Sequence, residues 1–282
     1  MGHALEFLLT DKHDIRIWSI FTQNILEDEV SQADIILLCL PVNAHVEILQ
    51  RVVACVRPHC LCLSIAKGLD ESGKTAPQIL DDFLHDKFAY GVLYGPMISE
   101  EIRLGRLAFA DAALSNPANY SIIRSLFSGT TLICTQVEDM HGSGWSVILK
   151  NVYAIIFGIA DELKLGGNVR GHFMVSALAE LSAIVNSMGA NTSTPYSYAG
   201  LGDLITTATS EDSHHHELGR QLARGDFADI SGEGVHTLAM VNKFHLFNYE
   251  SYPLFTLINE IVTTPEKMRS LLDAYLDRLK MW

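Results

Sequence analysis

The stretch IILLCLPVNAHVEILQRVVACVRPHCLCLSI, residues 35–65, decides the fold of the first half of the chain. Its opening IILLCL is apolar at every position and ends at Pro41. Continuous apolarity over strand length, in place of alternation, suits a parallel strand covered on both faces. Residues 60–65, CLCLSI, repeat the pattern. Between the two runs, Val46, Ile48, Leu49, Val52 and Val53 recur at helical spacing over residues 44–56. Strand, helix and strand in that order predict a right-handed crossover and an α/β sheet. Working outward, residues 1–9 read as a helix with Ala4, Leu5, Leu8 and Leu9 on one face, and Ile15-Arg16-Ile17-Trp18 alternates like a short strand. Ligands of such sheets lie at the carboxyl ends of strands, which brings forward Pro41-Val42-Asn43, Ala66-Lys67-Gly68 and Tyr94-Gly95-Pro96-Met97. Two readings of Lys67 stand: a lysine turned into a crevice toward a phosphate or carbonyl oxygen, or a solvated loop lysine.

From about residue 144 the strand signals fade. Helical patterns cover residues 147–163 and 173–188, with Gly166, Gly167 and Asn168 breaking them apart, so the second half is expected to be all-helical. The expected domains are 1–143 and 144–282. Lys150 stands in the middle of WSVILKNVYAIIFGIA, residues 145–160. An ammonium group there is costly unless it is paired or chemistry requires it. Ala199-Gly200-Leu201-Gly202 forms a turn ending at Asp203, and a helix opening there puts Asp203 and Thr207 on one face. They read either as a carboxylate and hydroxyl projecting beside an anion-favouring helix N-terminus, or as an N-cap aspartate and an exposed threonine. Ser213-His214-His215-His216 is a linear run whose side chains point in different directions, so no metal site is expected.

Composition bounds the function. With 48% hydrophobic residues, the 282-residue chain has ample material for real cores. Lys and Arg number 20 against 33 Asp and Glu, a net charge of −13 that repels nucleic acid and anionic membranes, so the expected partner is a small molecule. The five cysteines are odd in number and lack C-x-x-C spacing, which fits a reducing cytoplasm and neither a disulfide framework nor zinc. No apolar run reads as a membrane span, and the first ten residues lack the pattern of a signal peptide.

Five motifs in order carry a family resemblance: SIAKGLD (64–70), YGPMISEEI (94–102), LKNVYAIIFGIADELKLGGN (149–168), LAEL (178–181) and AGLGDLITT (199–207). Together they resemble NAD(P)-dependent glycerol-3-phosphate dehydrogenase, in register over nearly the whole chain. The resemblance implies a Rossmann-type parallel-sheet domain that binds NAD or NADP, then an all-α domain of the 6-phosphogluconate-dehydrogenase-like kind that binds substrate. It implies exchange between glycerol 3-phosphate and dihydroxyacetone phosphate, in a cytoplasmic homodimer with no membrane span and no nucleic-acid partner. Lys150 would be the catalytic lysine, with Lys67 beside the substrate and Asp203 holding Lys150. Asn151, Thr207, Ser213, His214 and His215 would line the substrate site. Gly2, Pro41, Lys67, Gly95, His214 and Glu233 would face the cofactor, and no metal is implied.

The chain departs from the family pattern in three places. Met1-Gly2-His3-Ala4 resembles only the tail of the family's glycine loop, with Gly2 as its last glycine, and the preceding strand and first two glycines are absent from the sequence. Only fifteen residues separate Trp18 from Asp34, and Ser19 and Ile20 stand where an acidic residue would hold the adenosine ribose. After GLGDL, His214 takes the place of a family arginine, and Val175-Ser176-Ala177 replaces a Thr-Arg-Gly. Histidine lacks the bidentate fork of arginine, so phosphate binding is expected to be weaker and pH-dependent. These departures raise an alternative: a catalytically weak or inactive homologue that binds a metabolite or partners another subunit.

Overall fold

The two apolar runs of residues 35–65 become neighbouring parallel strands, β1 (Ile35–Leu38) and β2 (Leu61–Ser64), in register from Ile35 opposite Leu61 to Leu38 opposite Ser64. Every residue of β2 is buried, whereas only Leu38 is buried in β1, which forms one edge of the sheet. This computed structural model describes residues 1–210 and 213–281. The chain divides into two compact units, Met1–Gly144 and Trp145–Trp282.

In unit 1 the described residues form a five-stranded sheet in sequence order, completed by β3 (Ala89–Tyr94), β4 (Ala108–Leu114) and β5 (Leu132–Val137). The helices are α1 (Gly2–Leu9), α2 (Leu26–Val30), α3 (His45–Val52), α4 (Ala76–Leu84), α5 (Ser99–Arg103) and α6 (Tyr120–Leu126). Helix α3 is the crossover between β1 and β2. Its buried residues Ile48, Leu49 and Val52 follow the spacing that predicted it. Helix α4 starts at a capping box, Thr75 receiving the Gln78 N–H while the Gln78 side chain receives that of Thr75. One pairing runs against the parallel expectation: β4 is antiparallel to β3, with Tyr94 opposite Asp111, and parallel to β5. The link between β3 and β4 holds only the five-residue helix α5, too little for a crossover back to the same end. Gly91 permits the pairing, since a Cβ there would overlap the Ala113 carbonyl oxygen.

The alternation of Ile15-Arg16-Ile17-Trp18 does not produce a strand. No neighbouring strand offers a ladder, and the side chains take other partners: Arg16 lies near Asp14 and Glu29, and Trp18 stacks beneath the guanidinium of Arg51. Arg51 is in turn held by both carboxylate oxygens of Glu27, at 2.7 and 3.0 Å.

Every secondary-structure element among the described residues of unit 2 is a helix. Helix α7 (Met140–Glu162) begins in unit 1 and continues through the Lys150 segment. It is long and apolar enough to cross a membrane by length and composition, contrary to expectation, but its apolar window is wholly buried, as in a core helix. Then come α8 (Gly167–Ser187), a π-helical turn (Tyr198–Gly202), α9 (Asp203–Thr209), α10 (His214–Arg224), α11 (Glu233–Phe244), α12 (Pro253–Thr263) and α13 (Met268–Leu279). The break before α8 falls at Lys164 and Gly166, both with positive φ, so Asn168 lies inside the helix and does not end one. Helices α7 and α10 meet at two glycines. A Cβ on Gly158 would overlap the His216 carbonyl oxygen, and one on Gly219 would overlap that of Ile155.

Glu180 of the LAEL motif ties three helices together. Its Oε1 accepts the Leu254 N–H at 2.7 Å, and its Oε2 accepts the Phe255 N–H at 2.8 Å and the Tyr153 hydroxyl at 3.0 Å. Helix α12 has no side-chain cap of its own at Tyr252, so Glu180 on α8 satisfies its first-turn donors while holding α7 through Tyr153. Burial raises the Glu180 carboxyl above its usual range, against the three hydrogen bonds that favour the anion. Glu180→Ala would leave two backbone donors and a buried hydroxyl unsatisfied. We expect it to lower the unfolding free energy by about 2–4 kcal/mol, read by urea denaturation followed by circular dichroism. An unchanged midpoint would contradict the capping role.

Candidate active site

Within unit 1, the predicted residues lie around the carboxyl ends of β1, β2 and β3. Gly2 is the first residue of α1, and the nearest atom to a Cβ placed there would be the Cys39 Cβ, at 3.5 Å. The N-terminus of α1 therefore stands beside the residue that follows β1. Met1 gives no side-chain cap, and the first turn carries no acidic residue. Ala4 and Leu5 both donate to the Met1 carbonyl, while the Gly2 and His3 N–H groups are ones an α-helix leaves without an internal acceptor. This end of α1 has the bare backbone and dipole sign that suit a phosphate. Pro41 precedes a single helical turn at Val42–Ala44. Lys67 follows β2 and donates from Nζ to the Gly95 carbonyl at 3.1 Å, so it is neither a wholly solvated lysine nor separate from the β3 loop. Gly95 packs against β4 so closely that a Cβ would overlap the Phe109 carbonyl oxygen. Ser19 lies in a local turn with Thr22, and Ile20 and Phe21 are 76% and 90% exposed, so no acidic group stands there.

Within unit 2, Lys150 is 5% exposed and its ammonium sits 3.1 Å from Asp203 Oδ2, with Asp203 itself 3% exposed. Lys150 Nζ also donates to Thr207 Oγ1 at 2.6 Å, and that hydroxyl donates to the Asp203 carbonyl at 2.7 Å. The one-turn spacing of Asp203 and Thr207 on α9 aims both at the same point. Asp203 is not an N-cap: Gly202 holds that position and the π-helical turn runs straight into α9. Asn151, next to Lys150 on α7, donates from Nδ2 to Glu233 Oε2 at 3.0 Å. A Cβ on Gly234 would come within 2.8 Å of the Asn151 carbonyl oxygen, so the start of α11 lies directly on α7 at this point.

Ser213 caps α10, its Oγ receiving the His216 N–H at 3.3 Å. The three histidines go separate ways. His214 is exposed and its Nε2 contacts the Ser231 carbonyl at 3.2 Å; His215 is buried with its ring edge-on to His214, centroids 5.7 Å apart; His216 reaches Asp161 Oδ2 at 2.8 Å. Gly232, with φ of +117°, passes His214 where a Cβ would lie 2.8 Å from its ring. Lys150, Asp203 and Thr207 thus converge, Asn151 and Glu233 form a second pair one residue along α7, and His214 and His215 line the loop leading to Glu233.

Sequence reasoning missed the Asp161 cluster. Asp161 near the end of α7 accepts from both His216 and Arg170, and Arg170 also donates to the Ala208 carbonyl at 3.3 Å, near the end of α9. Burial raises the Asp161 carboxyl, but the Arg170 guanidinium and the His216 ring outweigh it and hold it below its ordinary value. An acid at the end of one apolar helix and an arginine in the first turn of the next is a readable hairpin pair, and it fixes the end of α9 whose start carries Asp203.

Residues 2–119 match the family model for the N-terminus of NAD-dependent glycerol-3-phosphate dehydrogenase, and residues 139–273 match that for its C-terminus. The glycerol-3-phosphate dehydrogenase [NAD(P)+] of Staphylococcus saprophyticus is 30% identical over 78% of this chain and 69% of that protein. That of Teredinibacter turnerae is 31% identical over 75% of this chain, which spans 64% of the relative's length. That of Synechocystis is 27% identical over 98% of this chain and 91% of the relative. Among solved structures, glycerol-3-phosphate dehydrogenase from Coxiella burnetii shares the fold with a TM-score of 0.76, at 21% identity over 96% of this chain and 88% of that one. The fold is accordingly a Rossmann-like domain followed by a helical domain. The chain belongs to the NAD-dependent glycerol-3-phosphate dehydrogenase family.

Proposed function

We propose that this chain is an NAD(P)-linked oxidoreductase that interconverts sn-glycerol 3-phosphate and dihydroxyacetone phosphate, with Lys150 as its acid and base. The observation that carries the reading is an ammonium group at 5% exposure, aimed by one carboxylate and one hydroxyl. In reduction, negative charge grows on the substrate carbonyl oxygen. An ammonium in a low-dielectric site stabilises that charge strongly and then gives up the proton, leaving an alcohol. In oxidation the neutral amine takes the hydroxyl proton back. Asp203 supplies the counter-charge that lets the ammonium persist, and Thr207 fixes the direction of one N–H. When bound, the nicotinamide gives or accepts the hydride.

The bare N-terminus of α1 at Gly2 fits one end of a dinucleotide pyrophosphate, and within unit 1 we assign Pro41, Lys67 and Gly95 to the same cofactor. Asn151, held by Glu233, lines the substrate site. Ser213, His214 and His215, around the start of α10, take the substrate phosphate in place of an arginine. The five free thiols support a reducing cytoplasm, and the family resemblance a homodimer.

Oxidation of NADH and NADPH by dihydroxyacetone phosphate tests the reading directly. The wild type turns over, and Lys150→Ala lowers kcat by about 10³-fold while leaving the nucleotide Kd within about twofold. A wild type with neither turnover nor nucleotide binding would sink the proposal. The phosphate role of His214 has its own check. His214→Ala should raise the dihydroxyacetone phosphate KM by about 3–10-fold, the worth of one net hydrogen bond, while turnover of unphosphorylated dihydroxyacetone stays within about twofold of wild type. An unchanged KM would remove His214 from the phosphate site.

A further inference from the structure

Hydrogen bonds, continued from Ala66 to Lys67 through the chain itself, join the loops that follow β1, β2 and β3. His45, the first residue of α3, turns its ring back over the preceding turn, and its Nδ1 meets the Pro41 carbonyl at 3.1 Å. Its Nε2 meets Ser64 Oγ, at the end of β2, at 2.8 Å. Ser64 Oγ receives the Ala66 N–H at 3.1 Å, and the next residue, Lys67, donates to the Gly95 carbonyl. His45 and Ser64 are both 0% exposed.

The direction of the run is fixed by chemistry. A carbonyl only accepts, so Nδ1 of His45 carries the proton that goes to Pro41. In a neutral imidazole Nε2 is then an acceptor, so the Ser64 hydroxyl donates to it and keeps a lone pair for Ala66 N–H. Every hand-off is consistent with neutral His45, and burial keeps it so by pushing the imidazole below its ordinary range. A leucine would fill much the same space. The imidazole adds a set distance between the loop at residues 41–43 and the loop at residues 66–68.

We propose that His45 and Ser64 are positioning residues for the nicotinamide dinucleotide, holding the β1 and β2 loops at the separation that the cofactor spans. The proposal rests on the dehydrogenase reading above. Both side chains are fully covered, so they act only through Pro41, Ala66 and Lys67.

The test uses the full chain with His45→Leu, Ser64→Ala and the double variant. It measures the NADH Kd by fluorescence titration, the dihydroxyacetone phosphate KM, kcat at saturating NADH, the melting temperature and hydrogen exchange at the Ala66 amide. Each single variant should raise the NADH Kd by about 3–10-fold, the worth of one net hydrogen bond. The double variant should bind no worse than about twofold beyond the weaker single, because both changes break one run. Ala66 exchange should quicken in all three, and the NADH Kd should change more than the dihydroxyacetone phosphate KM or kcat. Unchanged NADH affinity in folded variants, even with a lower melting temperature, would reduce the pair to a packing role and overturn the proposal. Independent multiplication of the two effects would also overturn it. If His45→Leu fails to fold, Ser64→Ala, which removes a single oxygen, decides alone. A wild type that binds no NADH sinks the dehydrogenase reading and this proposal with it, whereas a binding wild type with indifferent variants sinks this proposal only.

Discussion

Everything particular about unit 2 follows from keeping one ammonium group in a dry interior. Lys150 has Leu149, Val152 and Ala154 around it on α7, all at 0% exposure. Taking a charge out of water costs several kcal/mol, and a counter-ion alone seldom repays it unless the remaining donors are also satisfied. Asp203 and Thr207 meet that condition from one helical turn, and Thr207 is itself anchored to the Asp203 backbone. Such a pair is a poor device for stability alone, since apolar residues of similar volume commonly do as well or better. It suits the proposed role, in which a proton is delivered without water.

The surroundings serve the same end by limiting movement. Glycines at 158 and 219 let α7 and α10 touch backbone to backbone. Asp161, with Arg170 and His216, fixes α7 to α8, α9 and α10. Glu180 fixes α7 to α8 and α12. Each anchor is a polar group that the helices would leave unsatisfied without its partner, so small tilts of α7 cost hydrogen bonds as well as packing. A lysine carried on such a helix keeps its aim.

Much of this was legible in the residues. Continuous apolar runs before Pro41 and up to Ile65 placed β1 and β2, and helical spacing placed α3; burial on both faces leaves β2 no freedom for polar residues, whereas β1 is an apolar edge strand with only Leu38 buried. A lysine within an apolar helix announced itself, and the spacing of Asp203 and Thr207 gave one face to aim with. The failures have physical causes. The alternation at Ile15-Arg16-Ile17-Trp18 satisfied a local rule, but a strand needs a neighbour. The antiparallel turn of β4 follows from the short link after β3 and the bare backbone at Gly91, neither of which periodicity reports. The His45 and Ser64 pair joins residues nineteen apart in sequence through side chains that look ordinary one at a time. Likewise, Glu180 gives no sign in LAEL that it caps a helix beginning at Pro253.

On the proposed function, the Lys150 and Asp203 pair serves proton transfer and not stability. Unfolding free energies and turnover of Lys150→Met, Asp203→Leu and the combined variant test it most directly. Each single change leaves a buried charge or an unfilled partner and should cost about 3–5 kcal/mol, while the combined apolar variant should return to within about 1 kcal/mol of wild type and catalyse nothing. A combined variant as unstable as either single, or one that still reduces dihydroxyacetone phosphate, would contradict the account.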